Sequence, residues 1–425
     1  MTFHSPAVCA CDDQSENLLT VPQAMEIAAS LVSPVCEVED VMLGAACGRV
    51  AAHPVLASRP MPFFDQSAMD GFAVRLSDLK GEGDWRLHVS ETLPAGASSS
   101  GNWATNQAKR IYTGAAVPPE ADAVVMVEQC SDEGASVVIR RRPAKRENIR
   151  PKGNDIAAGA LLIAPGTLIE PRHVGLMAAN GFSTVGVFRR PRVGVFSTGS
   201  ELLAQAPEQA RIFDANRPML IALAQAAGAE VADLGVIDDD LETTARFFSL
   251  QKKRYDILLS SGGVSAGGRD FVKPAFIQAG GHIRGWKLAL KPGKPALFGV
   301  LGGAAYFCLP GNPLSAFVGF ELFVREQILR TGGARRTAGG EMPAQSGFEM
   351  RRKTGRMEYV PARIASFSVG GLPVVEAIGN GSSATLLALG QADGLAVIAA
   401  DTDRVRVGDR LGFVPFGRPA ARKDD

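Results

Sequence analysis

Between residues 191 and 330 short apolar runs alternate with amphipathic stretches, and this alternation most narrows the folds open to the chain. Residues 192–196, 231–237 and 255–261 read as strands. Residues 216–227, 241–251 and 314–329 read as helices, and a further helix follows Asp270. Strands joined by helices need right-handed crossovers, which predicts an α/β domain with a mostly parallel sheet covered on both faces.

In such a sheet, ligands bind beyond the carboxyl ends of the strands, where glycine-rich turns expose backbone N–H groups. Three turns fit that place: Thr198-Gly199-Ser200-Glu201, the long loop opening Ser261-Gly262-Gly263 and closing at Asp270, and Pro310-Gly311-Asn312-Pro313. One such turn is weak evidence, but three on one sheet edge point to a phosphate or oxyanion site. Before the third turn lies Trp286-Lys287-Leu288-Ala289-Leu290-Lys291-Pro292-Gly293-Lys294. Its lysines could form a solvated loop; their position favours contact with a tetrahedral anion, for which lysine is a mobile point charge. Glu201, Asp239 and Asp270 gather at the same edge. Carboxylates beside a phosphate loop commonly hold Mg²⁺, although Asp239 and Asp270 could each simply cap a helix.

The rest of the chain reads differently. Thr20-Val21-Pro22-Gln23 has capping-box spacing and opens a first helix. From 59 to 150 short β-type runs are broken by Gly, Pro and Ser. Glu170-Pro171-Arg172-His173 then opens a helix closed by Asn180-Gly181, which suggests that the β-rich piece is an insertion. Residues 350–416 show short strands with glycine turns, as expected of a small β-barrel or sandwich.

A chain of 425 residues is too long for one core. We expect a discontinuous helical linker domain (15–58 and 149–190), a β-rich insertion domain (59–148), the α/β domain (191–333) and a β-domain (341–418). The net charge of +1 argues against a nucleic-acid footprint. Six cysteines include the pair Cys9 and Cys11 but no C-x-x-C, so zinc is not expected, and the five histidines form no hydrolase pattern. The start lacks a signal-peptide pattern, and the uncharged stretch 295–320 is broken by Pro310-Gly311, which speaks against a membrane span. The expected location is cytoplasmic.

Several segments in order resemble the molybdopterin molybdenumtransferases, called MoeA in bacteria and the gephyrin E domain in animals. They are Phe64-Asp65-Gln66-Ser67-Ala68-Met69-Asp70-Gly71, Ile111-Tyr112-Thr113-Gly114, Asn148-Ile149-Arg150 with Gly153-Asn154-Asp155, the three sheet turns and the lysine loop. The resemblance implies a multidomain fold: a central molybdopterin-binding α/β domain, a β-rich insertion domain and a C-terminal β-barrel. It implies a homodimer whose active cleft is shared between subunits. The implied reaction takes adenylyl-molybdopterin and molybdate, assisted by Mg²⁺, and releases AMP in the last step of molybdenum-cofactor synthesis.

Matched position by position, the family's catalytic residues fall on Asp65, Thr113, Glu201 and Asp270, and its metal ligands on Glu201, Asp239 and Asp270. Lys287 and Lys291 match as well, Pro310 and Pro313 resemble the family's P-G-N-P turn, Arg150 corresponds to a basic residue at the mouth of the cleft, and Ser382 is the expected partner from the C-terminal domain; with Ser261, Gly262, Gly263 and Asn312 of the glycine turns, these are the expected substrate contacts. Two positions depart from the pattern. Ser200 stands where relatives have Asp or Asn, and Pro361 where they often have Arg, a contact that Arg363 is expected to replace. The rival readings are the preceding adenylyltransferase, which normally has the α/β domain alone, a scaffold, and an inactive paralogue.

Overall fold

The computed structural model describes residues 2–3, 18–99, 102–203, 212–264, 271–335 and 340–417. Cys9, Cys11 and Asp270 lie outside the described residues. Helix α1 (Val21–Ser30) starts as its sequence dictates: the Thr20 hydroxyl accepts from Gln23 N, and Thr20 N donates to Gln23 Oε1 at 2.9 Å. Its buried face is Val21, Ala24 and Ala28, spaced by about one turn each. Helix α2 (Pro171–Ala179) opens with Glu170, whose N–H donates to His173 Nδ1 at 3.0 Å. His173 is thereby a capping residue.

The chain leaves and re-enters the linker region around the β-rich piece. Val38–Met42 pairs antiparallel with Thr184–Phe188, and Val55–Leu56 with Leu161–Ile163. Asn180, buried beyond α2, ties the two passages together. Its Oδ1 accepts from Ser58 N at 2.8 Å and its Nδ2 donates to Arg59 O at 3.0 Å. Between them is a six-stranded sheet ordered Ala123–Met126, Gly71–Val74, Gln107–Ile111, Trp85–Leu93, Ser136–Ile139 and Cys130–Asp132. Phe72, Val74, Leu87, Val125, Val137 and Ile139 give it a core of its own. In this sheet burial, then Asp132 and Glu128, push the Cys130 thiol up to about 11.

The α/β domain runs β1 (Arg192–Thr198), α3 (Asn216–Ala226), β2 (Glu230–Ile237), α4 (Leu241–Gln251), β3 (Ile257–Ser261), α5 (Val272–Gln278), β4 (His282–Trp286), β5 (Leu297–Leu301), β6 (Ala304–Leu309), α6 (Pro313–Gly319) and α7 (Arg325–Thr331). The sheet order is β2-β1-β3-β6-β5-β4, with β2, β1, β3 and β6 parallel. Strands β4 and β5 form a segment the sequence reading left without strands. Strand β5 is antiparallel to both neighbours, and the tight turn Gly302-Gly303 joins it to β6. Two antiparallel steps bring β4 back to the common direction, so its carboxyl end shares the edge of the glycine turns.

From β1 the chain crosses to β2 on one side and then to β3 on the other, which places the reversal of order between β1 and β3. Leu220 and Ala224 of α3 cover one face with α1 and α6, and Phe248 of α4 and Phe276 of α5 cover the other. Helices α6 and α7 are joined by a π-turn at Phe320–Val324, so the last helix is one rod with a wide turn. At the opposite edge Arg189 locks the linker to the sheet. Its Nη1 and Nη2 bind Asp256 Oδ2 and Oδ1 at 2.7 and 3.0 Å, and its Nε pairs with Glu37.

The C-terminal region closes into a five-stranded barrel of Met357–Phe367, Pro373–Ala377, Met342–Ser346, Arg410–Pro415 and Gly394–Ile398, the last pairing back onto the first. Leu290–Lys291 adds to this barrel beside Met357 and Glu358. No helix among the described residues is long and apolar enough to cross a membrane.

Candidate active site

The three glycine turns follow β1, β3 and β6, which are adjacent and parallel, so they form one continuous edge. Asn216 fastens two of them. From the start of α3, 7% exposed, its Nδ2 donates to Ser261 Oγ at 2.7 Å and to Gly311 O at 2.6 Å. The Ser261 hydroxyl in turn donates to Pro310 O at 3.0 Å, and Gly262 N to Leu309 O at 3.1 Å. Asp214 takes over the capping of α3 by accepting from Arg217 N at 3.0 Å, which leaves Asn216 for the turns. Sequence reasoning missed Asn216; an asparagine opening a helix after a strand-end loop is the signal that could have found it.

Gly263 leaves no room for a side chain without a shift of its neighbours. Its φ is +69°, and a Cβ there would lie 2.1 Å from Val272 Cγ2 and 2.8 Å from Thr198 Oγ1. Ser197 Oγ, Thr198 Oγ1 and Asn216 Oδ1 are buried along this edge without a hydrogen-bond partner among the described residues. Such groups are uncommon in folded proteins.

The two described carboxylates share the first turn. Glu201 folds back over Gly199, whose added Cβ would lie 2.6 Å from both carboxylate oxygens. Asp239 Oδ2 accepts from Ser200 N at 3.2 Å. The cap of α4 is its neighbour Asp240, which accepts from Thr243 N at 2.7 Å, so the capping role weighed for Asp239 belongs one residue later. Among the described residues no group of three or more His, Cys, Asp or Glu is placed to hold a metal. Mg²⁺ asks for less, taking one or two carboxylates beside substrate phosphates and water. The hard oxygens of Glu201 and Asp239 fit it.

The lysine loop leaves the carboxyl end of β4. Lys287 sits at φ 60°, with its N–H on Ala296 O and its carbonyl accepting from Leu19 N. Lys273 of α5 lies over the Trp286 ring at 4.4 Å, which fixes the strand end just before it. Lys291 binds the buried Glu358 of the barrel at 3.0 Å, and Arg352 binds the other oxygen of Glu358 at 2.7 Å. Gly293 then approaches Ser315 at the start of α6.

On the other side of that start, Asn312 Nδ2 donates to Ser383 Oγ at 2.9 Å and Leu314 N to Ser383 O at 3.2 Å. The residue from the barrel that meets the Pro310–Pro313 turn is Ser383; Ser382 Oγ accepts from Ala384 N within its own turn. Arg363 is spent on Glu376 at 2.9 Å on the barrel surface, while Pro361 is buried in the barrel wall.

Family models match in succession along the chain: "MoeA N-terminal region (domain I and II)" over residues 19–181, "Probable molybdopterin binding domain" over 194–330, and "MoeA C-terminal region (domain IV)" over 343–416. A molybdopterin molybdenumtransferase of Haemophilus influenzae is 31% identical over 403 residues, 94% of this chain and 99% of that relative. The chain belongs to the MoeA family. A molybdopterin molybdenumtransferase of a Nostoc species is 35% identical and covered to 85%, as is this chain. Among solved structures, the MoeA protein of Pyrococcus horikoshii superposes with a TM-score of 0.81 at 26% identity, covering 94% of this chain and all of its own.

The remaining predicted residues of this MoeA chain lie in the N-terminal region, within residues 19–181. Asp65 Oδ2 binds Arg146 Nη1 at 2.6 Å and Oδ1 accepts from Lys152 N at 2.8 Å. Arg146 thereby holds the Asp65 carboxyl below the usual range, against a smaller effect of burial. Thr113 donates through N and Oγ1 to Asp70 Oδ1 at 2.7 and 2.8 Å. Arg150 is exposed and pairs through its backbone with Gln66. Phe63, Phe64, Met69 and Tyr112, next to Asp65, Asp70 and Thr113 in sequence, are exposed. Among the described residues, no hydrogen bond or ion pair joins Asp65, Thr113 or Arg150 to the three turns of the same chain.

Proposed function

We propose that this chain inserts molybdate into adenylyl-molybdopterin with release of AMP, as a homodimer in which the Asp65–Thr113 surface of one subunit faces the glycine-turn edge of the other. The observation that carries the reading is the edge itself: three strand-end turns, two of them fastened by Asn216, with two carboxylates at one end. Backbone N–H groups at Gly263 and at the start of α6 suit anionic groups of the substrate, and Lys287 adds charge at the same edge. Glu201 and Asp239, with Asp270, are the residues that would hold Mg²⁺, which neutralises charge as the phosphoanhydride is cleaved. Asn312 and Ser383 shape the far end, where the oxyanion is expected beside Pro310 and Pro313.

The test follows AMP release from adenylyl-molybdopterin by the purified protein, with and without molybdate and Mg²⁺. Release is expected to need both and to vanish in Asp270→Ala. Indifference to molybdate, together with adenylylation of molybdopterin by ATP, would instead identify the preceding step of the synthesis. No turnover in either assay would leave a scaffold or an inactive paralogue.

A further inference from the structure

Arg146 occupies a backbone position made for another residue. Its φ is 69°, in the left-handed region where a Cβ crowds the following carbonyl and glycine alone sits without strain. Asn148 is also left-handed, at 55°, but asparagine tolerates that region, and its Nδ2 donates to Val124 O at 2.9 Å. The Arg146 backbone is well held, with its N–H on Asp122 O at 2.7 Å and its carbonyl accepting from Ile149 N at 3.2 Å. A glycine would make both bonds.

What arginine adds is its side chain, and among the described residues that side chain makes one polar contact, Nη1 to Asp65 Oδ2. With Lys152 N on the other oxygen, the Asp65 carboxylate is left with a single orientation. The arginine side chain is still 44% exposed, so its remaining N–H groups face solvent beside Asp65.

We infer that Arg146 is a positioning residue for the reaction, acting through Asp65 by fixing the orientation in which that carboxylate meets the substrate. This rests on the reading that Asp65 serves the cleft. Backbone strain borne by a side chain that contacts one functional carboxylate is the pattern expected when function, and not stability, selects the residue.

The full-length protein and its variants R146G, R146K, D65N and R146G/D65N would be compared in molybdate-dependent AMP release, with thermal midpoints for each. R146G is expected to lower kcat/KM by about 10- to 100-fold, the usual effect of a misplaced catalytic group. Its midpoint should stay unchanged or rise, because glycine relieves the strain. R146K should recover part of the loss, and the double variant should be no slower than D65N.

Wild-type turnover in R146G would overturn the inference. So would a fall in thermal midpoint that accompanies the loss without rescue by lysine, or losses that multiply in the double variant. Wild-type turnover in D65N would remove something different, the reading that Asp65 serves the cleft.

Discussion

Gly263 shows how far a single residue can be constrained by what surrounds it. Its left-handed φ excludes most side chains, and its neighbours Val272 and Thr198 leave no volume for a methyl group. Gly263→Ala must therefore move α5, the turn after β1, or both. We expect a loss of about 1–3 kcal/mol of stability, the usual range for overpacking, with turnover falling further than stability explains, because the proposed function sets the displaced N–H against substrate. Denaturant unfolding and AMP release measured together test this; wild-type values of both would show that the loop gives way freely. Such constraint was legible in the run Ser261-Gly262-Gly263 itself. The bonds of Asn216, the pairing of Lys291 with Glu358 and that of Asn312 with Ser383 were not, because each depends on which loops the folded chain brings side by side.

Among the elements, starts of helices were the most readable, since a capping box is a local arrangement and both Thr20 and Glu170 form one. The β4–β5 hairpin partner of β6 was hidden because its strands are short and interrupted by Gly285 and Gly299, and the glycine at 299 allows the close approach of His282 O and Phe276. The joint between linker and sheet was equally invisible, being an ion pair between Arg189 and Asp256, far apart in sequence. Burial raises the Asp256 pKa, but Arg189 and the N–H of Arg192 outweigh it and hold the carboxyl below its ordinary value.

A carboxyl depressed in the folded state stabilises above its unfolded pKa, and that contribution is lost as pH falls through the folded one. Asp256→Asn should accordingly cost about 2–4 kcal/mol near neutrality, since it leaves Arg189 partly buried without its main partner. The variant should also lose stability less steeply than the wild type below about pH 4. Thermal midpoints across pH 3–7 would check it, and parallel curves for the two proteins would count against the joint.

At the scale of the whole molecule, the arrangement raises a question that one chain does not answer by itself. The Asp65–Thr113 surface carries the exposed neighbours Phe63, Phe64, Met69 and Tyr112, and makes its polar contacts within its own domain. Exposed aromatic groups around charged and hydroxyl side chains suit a surface completed by another molecule. A two-fold dimer would use the same patch twice, giving two clefts, each built from one glycine-turn edge and one Asp65 surface. Complementation separates this from a cleft formed within one chain. Asp65→Asn damages one half of each site and Glu201→Gln the other, so dimers of either variant alone have no intact cleft. Co-expression in equal amounts makes half of the dimers mixed, each with one cleft that carries both wild-type halves. Turnover should then return to about a quarter of the wild-type value. With clefts formed within single chains, every cleft in the mixture keeps one lesion, and activity stays at the level of the separate variants even when mixed dimers are isolated.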